Sequence, residues 1–283
     1  MKVSNTIESV RHLISDARKA QKTIGLVPTM GALHIGHISL IRAAKQKCDY
    51  VVVSIFVNPT QFGPSEDFDK YPRPLEEDLK ICKKEGVDLV FNPASDEMYP
   101  EKNFTWVNVE KLTDNLCGRF RPGHFRGVTT VCAKLFNIVT PDIAFFGQKD
   151  AQQSIVIKRI VADLNMPLEI VVCPTVREHD GLAISSRNKY LSEQDRQDAT
   201  YIYKSLQKSR EMVDSGCRKT ETIIAEMRNI LQQKLSIQIE YISIVDDKTL
   251  ENIEYIQDKA LAAIAVRIGG TRLIDNIPID IGE

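Results

Sequence analysis

The apolar residues of this chain keep two alternating periods through its first 176 residues. Within 5–21, Ile7, Val10, Ile14 and Ala17 recur at helical spacing and predict a one-sided helix. Residues 23–27 are a short apolar run that reads as a buried strand, and 38–45 return to helical spacing. Residues 50–57 are continuous and largely β-branched, the pattern of a strand covered on both faces in a parallel sheet. A helix near 75–85, a strand at 87–91, a helix at 128–139, a strand at 143–146, a helix at 151–164 and a strand at 168–173 continue the alternation. Five strands alternating with helices predict a doubly wound parallel sheet.

The pattern then changes. Residues 180–191 read as a loop, 193–214 and 219–235 as helices, and 237–245 and 260–268 as strands. Gly269 and Gly270 predict a hairpin turn into a further extended run at 271–274. The expected division is therefore an α/β domain over 1–176 and a smaller α+β domain over 177–283.

Composition narrows the choice of partners. With 37 basic and 38 acidic residues the net charge is −1, which gives no global electrostatic case for nucleic acid or an anionic membrane. No apolar run approaches the ~20 residues that span a bilayer, and the first residues lack the apolar core of a signal peptide. The six cysteines are widely spread, without Cys-x-x-Cys, and read as free thiols in a reducing compartment. A cytoplasmic protein is the expectation.

Candidate chemistry begins where the 23–27 strand turns into a helix, at Pro28-Thr29-Met30-Gly31-Ala32-Leu33-His34-Ile35-Gly36-His37. A helix start offers unpaired N–H groups and a partial positive charge to an anion. The turn is neither Gly-x-Gly-x-x-Gly nor a Walker A loop, so dinucleotide and P-loop readings lose their usual warrant. A metal held by His34 and His37 needs a third ligand that no neighbouring residue supplies. What stays is a histidine pair that either only packs in the fold or serves a nucleotide, in which case each imidazole can donate to a phosphate oxygen and Gly36 can admit a flat ring or ribose close to the backbone.

Other strand ends carry compatible groups. Asn58 and Gln61 follow the 50–57 run, and Lys149 and Asp150 follow 143–146. In open α/β sheets such positions converge on one crevice. Residues 118–127 hold Arg119, Arg121, Arg126 and His124 among glycines and read as a solvated basic loop or an anion-facing one. Ser185, Ser186 and Arg187 lie just past the expected boundary.

His34-Ile35-Gly36-His37 together with Ile184-Ser185-Ser186-Arg187-Asn188 resembles the paired signatures of adenylate-forming nucleotidyltransferases, the superfamily of class I aminoacyl-tRNA synthetases. The 28–37 stretch, Phe56-Val57-Asn58-Pro59-Thr60-Gln61-Phe62, Arg121-Pro122-Gly123-His124-Phe125, Phe146-Gly147-Gln148-Lys149-Asp150 and Ser185-Ser186-Arg187-Asn188 are similar, more narrowly, to the pantothenate synthetase family. The likeness runs in order from about residue 20 to 190.

This resemblance implies a Rossmann-like doubly wound sheet with a C-terminal α+β lid, and a reaction in which ATP, pantoate and β-alanine give pantothenate, AMP and pyrophosphate through a pantoyl adenylate. It implies that His34, His37, Lys149 and Arg187 are catalytic, with His37 assisting as a proton donor. ATP would be held by Met30, Gly31, Ala32, Leu33, His34, Ile35, Gly36 and His37, by Gly147, Gln148, Lys149 and Asp150, and by Val176, Ile184, Ser185, Ser186 and Arg187. Gln61 and Gln153 would take pantoate, with Asn58 and Tyr71 nearby and Arg121 and His124 near the site or a subunit contact. Mg²⁺ would accompany ATP, and a homodimer is implied. Ile184 departs from the methionine of the family pattern, an apolar change of similar volume.

Three other readings stand beside this one. A transferase that leaves the nucleotide on its product explains the histidines but not Gln61 and Gln153. A nucleotide sensor with a decayed site conflicts with the presence of every polar group. A tRNA synthetase conflicts with the near-neutral charge.

Overall fold

Alternate residues of the strands in the first unit project to opposite faces, and both faces are covered. The computed structural model describes residues 1–64, 66 and 68–282. It forms two compact units, the first being Met1–Glu110, Arg121–Gln148 and Gln153–Pro174, the second Lys111–Phe120, Lys149–Gln152 and Thr175–Glu283.

In the first unit β1 (Lys2–Ser4), β2 (Ile24–Thr29), β3 (Tyr50–Ile55), β4 (Leu89–Phe91), β5 (Ile143–Gly147) and β6 (Glu169–Cys173) make one sheet of order β1-β4-β3-β2-β5-β6. Every pairing is parallel. Along the chain between these strands come α1 (Ile7–Lys19), α2 (Ile35–Lys47), α3 (Leu75–Lys84), the single turns α4 (Ser95–Met98) and α5 (Cys117–Phe120), α6 (His124–Val139) and α7 (Ala151–Asp163). Leu26, Val52, Leu89 and Ala144 meet Val10, Ile14, Leu135 and Ile157 on one face. Val27, Val53, Val90 and Phe145 meet Leu40, Ile41 and Cys82 on the other. The chain winds outward from β2 through β3 to β4, then returns to lay β5 on the opposite side of β2. That reversal is the switch point at which such sheets bind ligands beyond their C-terminal strand ends.

In the second unit α8 (Glu193–Asp198), α9 (Thr200–Asp214) and α10 (Thr220–Gln232) precede an antiparallel meander of β7 (Gln238–Asp246), β8 (Lys259–Ile268) and β9 (Thr271–Asp280). Ile202, Leu206, Ile223, Met227 and Leu231 close over Ile242, Ile244, Ala262 and Ile264. Gly269 and Gly270 turn the hairpin with φ of +55° and +80°, the left-handed values a two-residue loop of this kind requires.

Several elements differ from their expected bounds. β1 is a sixth strand, too short for periodicity to reveal, and exists because Lys2, Val3 and Ser4 lie beside Leu89, Val90 and Phe91. β2 continues through Pro28 to Thr29; its pairing with β5 covers only Gly25 and Leu26, so the missing proline N–H breaks no bond on that side. β3 stops at Ile55. α2 starts at Ile35 and α6 at His124, so both ends of the basic 118–127 stretch are helical rather than loop. The helix expected over 193–214 is two helices that meet at Ala199, and β9 runs on to Asp280.

Candidate active site

The turn after β2 is held from two neighbouring elements, β3 and α3. Thr29 Oγ1 donates to Ser54 O at 2.7 Å and accepts from Gly31 N at 3.2 Å. Gly31 and Ala32 follow with φ of +85° and +51°, a conformation that costs an alanine roughly 1–2 kcal/mol. Ala32 N and Leu33 N then donate to Asp78 Oδ2 and Oδ1 at 2.9 and 2.7 Å. Asp78, on α3, is 1% exposed. Burial pushes its carboxyl above the usual range, against the pull of the Leu33 and Ala32 amides, and Glu77 adds to the rise.

His34 is the N-cap of α2 and His37 its third residue, and the two rings cap the helix reciprocally. His34 Nδ1 accepts from Gly36 N, and His37 Nδ1 accepts from His34 N, both at 3.2 Å. With Nδ1 an acceptor, each neutral ring carries its proton on Nε2, which makes Nε2 the donor. The ring centroids are 4.1 Å apart. A Cβ on Gly36 would lie 2.9 Å from His34 Cε1. The missing side chain of Gly36 thus leaves room for the imidazole of His34.

After β3, Pro59–Gln61 form a 3-10 turn. Asn58 is fully buried, accepts from Thr60 N and Oγ1 at 3.3 and 3.0 Å, and donates to Gly127 O at 3.2 Å. Its amide thus fastens the turn to α6, where a Cβ on Gly127 would collide with Thr60 O at 2.2 Å. Gln61 O accepts from Arg121 Nη2 at 3.3 Å and lies 2.8 Å from His124 Nδ1. Arg121 meanwhile grips Glu66 with Nε–Oε1 at 2.7 Å and Nη2–Oε2 at 2.6 Å. Burial raises the Glu66 carboxyl, but the Arg121 bonds and charge, the Gly63 amide and His124 outweigh it, and the net direction is down. Arg126 stacks 4.7 Å from the Trp106 ring. In the segment read as either a solvated basic loop or an anion-facing one, Arg121 is thus engaged by Glu66 and Arg126 by Trp106, and Arg121 with His124 braces the Gln61 turn. Tyr71 is buried beside Phe62, with ring centroids 6.0 Å apart.

β5 ends at Gly147, where a Cβ would meet nothing within 4 Å, and Gln148–Asp150 follow as a 3-10 turn. Two glutamines then open α7 and divide the work. Gln152 spends its amide on Cys117 N, Leu112 O and Asn115 O, all at 2.9 Å. Gln153 is half-buried, with no side-chain hydrogen bond to another described residue.

In the second unit Lys149 Nζ lies 3.8 Å from Asp150 Oδ1, and Lys149 O accepts from Asn276 Nδ2 at 2.9 Å. Val176 O accepts from Ile184 N at 3.0 Å, so these two expected nucleotide contacts are backbone neighbours. Gly181 turns between them at φ +94°, and Tyr203 leaves no room there for a Cβ. Ser185 caps the 3-10 turn Ser186–Tyr190 by accepting from Arg187 N at 3.3 Å, and Ser185, Ser186 and Arg187 are all half-exposed. Arg177 closes this loop on Asp275 of β9.

Sequence reasoning missed Asp78 and Asp275. Asp78 looks like the last acid of a surface run, yet Leu75, Leu79 and Cys82 share its helix face, a spacing that could have marked it as inward. Asp275 carries no such local signal. Among the described residues, no three of His, Cys, Asp and Glu gather as a metal site, and no helix is long and apolar enough to cross a membrane.

An all-parallel sheet that reverses its winding between β2 and β5, with a reciprocally capped histidine pair opening the helix after β2, defines the class of α/β nucleotide-using enzymes. The profile of the pantoate-beta-alanine ligase family matches residues 2–278. The chain belongs to that family. It is 57% identical over 277 residues to the pantothenate synthetase of Thermoanaerobacter pseudethanolicus, covering 98% of each chain. Pantothenate synthetase from Thermus thermophilus, a crystal structure, matches with a TM-score of 0.94 at 42% identity over the whole of both chains. The pantoate-beta-alanine ligase from Francisella tularensis, crystallised with beta-gamma ATP and beta-alanine, matches with a TM-score of 0.81 at 37% identity, covering 98% of this chain and 97% of that one.

Proposed function

We propose that this protein condenses pantoate with β-alanine at the expense of ATP, forming pantothenate, AMP and pyrophosphate. The observation that carries the reading is the capped His34–His37 pair at the sheet's switch point, in a chain matched to the ligase family over nearly its full length. A pantoate carboxylate oxygen attacks the α-phosphorus of ATP, and the bond to the bridging oxygen breaks to release pyrophosphate. The β-alanine amine, as the free base, attacks the acyl carbon of the pantoyl adenylate; the bond to the AMP oxygen breaks and the amine proton passes to solvent. Such a sequence asks the protein for in-line positioning and for donors aimed at phosphate oxygens, not for a covalent side chain.

The residues divide accordingly. His34 and His37 donate from Nε2 to phosphate oxygens, and His37 assists as pyrophosphate departs. Lys149, Ser185, Ser186 and Arg187 supply further charge and donors to the phosphates. Met30 to Leu33, Ile35, Gly36, Gly147, Gln148, Asp150, Val176 and Ile184 shape the nucleotide contacts. Gln61 and Gln153 take the pantoate hydroxyl and carboxylate groups, with Asn58, Tyr71 and Arg121 holding their surroundings. The donors assigned to phosphate are cationic or neutral, a set that fits phosphate oxygens better than a metal, so Mg²⁺ belongs to the incoming nucleotide, where it neutralises phosphate charge.

Exposed Phe104 and Trp106, at 82% and 36%, support a homodimer that buries them, which light scattering checks. Six unpaired cysteines fit a cytoplasmic setting. The test of the function is turnover with ATP, pantoate and β-alanine, each omitted in turn. Pantothenate and AMP are expected in equal amounts only from the complete mixture, and pyrophosphate exchange into ATP only with pantoate. Exchange without pantoate would overturn the reading.

A further inference from the structure

We infer that Asp78 is a positioning residue for adenylate formation, its buried carboxylate fixing the 31–33 turn so that His34 and His37 meet the triphosphate. The inference rests on the ligase reading above.

Asp78 stands among Leu75, Leu79 and Cys82 on the inward face of α3, where an apolar side chain would bury at less cost. Its oxygens lie 2.9 and 2.7 Å from Ala32 N and Leu33 N, which makes two charge-assisted bonds to a segment 46 and 45 residues away. Those amides belong to the turn in which Ala32 is held at φ +51°, a conformation that persists only where its surroundings impose it. A Cβ on Gly31 would lie 2.9 Å from Asp78 Oδ2, so the carboxylate sits directly against the turn. Leu33 is followed at once by His34, the N-cap whose backbone N–H orients His37. Turn, cap and second histidine are thus one rigid sequence of contacts that begins at Asp78.

Asp78→Asn keeps the volume and one acceptor but turns the other oxygen into a donor that faces an N–H. Pantoate-dependent ATP–pyrophosphate exchange is expected to fall about 10²-fold, the scale on which misplacing a reacting group slows a reaction, with a raised KM for ATP. Consumption of supplied pantoyl adenylate by β-alanine should fall far less, under about 5-fold, because pyrophosphate departs only in the first step. A merely structural role would depress both half-reactions alike. Equal loss of both, or loss of neither, overturns the inference.

Should the variant fail to fold, amide hydrogen exchange on the wild-type protein decides. Ala32 and Leu33 are expected to exchange as slowly as the amides of β2, and exchange at the rate of an unbonded turn overturns the inference. A wild-type protein that makes no pantothenate defeats the ligase reading and this inference together. Wild-type turnover beside an unaffected Asp78→Asn defeats only the role of Asp78.

Discussion

Arg177 lays its guanidinium fork on Asp275, with Nη1–Oδ2 at 2.5 Å and Nη2–Oδ1 at 2.9 Å. Asp275 is 3% exposed, and burial pushes its carboxyl up while Arg177 pulls it down. The neighbouring Asn276 donates to Lys149 O. Two adjacent residues of β9 therefore secure both the start of the 177–188 loop and the backbone of Lys149.

Removing Arg177 alone strands a buried carboxylate. Arg177→Met is expected to destabilise by about 3–5 kcal/mol, whereas the double change with Asp275→Leu should cost clearly less, because no uncompensated charge remains. Denaturant midpoints of the two singles and the double measure the coupling. Additive effects would mean that the pair is not a unit.

Asn276→Ala removes a donor from Lys149 O. A loss of about 1 kcal/mol is expected from one hydrogen bond. The functional signature is a raised KM for ATP with the KM for β-alanine unchanged, read from initial-rate kinetics.

Gly36→Ala separates stability from activity. Alanine in a helix gains about 0.5–1 kcal/mol over glycine. The new Cβ would meet the His34 ring at 2.9 Å and displace it. Adenylate formation should fall by about 10²-fold while the melting temperature stays nearly unchanged, because the alanine gain and the loss of the His34 cap, about 0.5–2 kcal/mol, offset each other. A parallel fall of both would implicate the helix rather than the ring.

His37→Ala, Lys149→Ala and Arg187→Ala are each expected to slow adenylate formation by about 10²-fold or more, the scale of losing one preorganised charge stabiliser. Single-turnover measurements with pantoate and ATP check this, and wild-type rates in all three would overturn their assignment.

The Glu66–Arg121 pair gives a pH dependence of known sign. Its carboxyl lies below the ordinary 4.5 in the folded protein. The stabilisation is then fully present above 4.5 and is lost as pH falls through the lower folded value. The melting-temperature advantage of wild type over Glu66→Gln should be constant near neutrality and shrink below that point. An advantage that persists unchanged into strong acid would contradict it.

The sheet and the chemistry along it were legible in different degrees. Five strands, the covering helices and the C-terminal meander follow from periods of 2 and 3.6, since these report which face of an element is apolar. β1 escaped because three residues carry no period, and β2 ran past Pro28 because only the register with β5 shows that side unpaired. The 118–127 segment stayed open between a solvated loop and an anion-facing one because its arginines were visible and the partners of Arg121 and Arg126, Glu66 and Trp106, were not.

The amino-acid sequence alone determined the alternation of strands and helices, the His34–His37 and Ser185–Arg187 motifs, and through them the family. Spacing and residue type suffice for these, because they concern neighbours along the chain. The tertiary structure decided what each polar group is occupied with: Asp78 with the turn before His34, Asp275 with Arg177, Asn58 with Gly127, Gln152 with the 112–117 segment. These partners lie 35 to 98 residues apart, and a carboxylate or amide can satisfy itself in many ways. Only packing, which excludes water and leaves one partner in reach, selects among them.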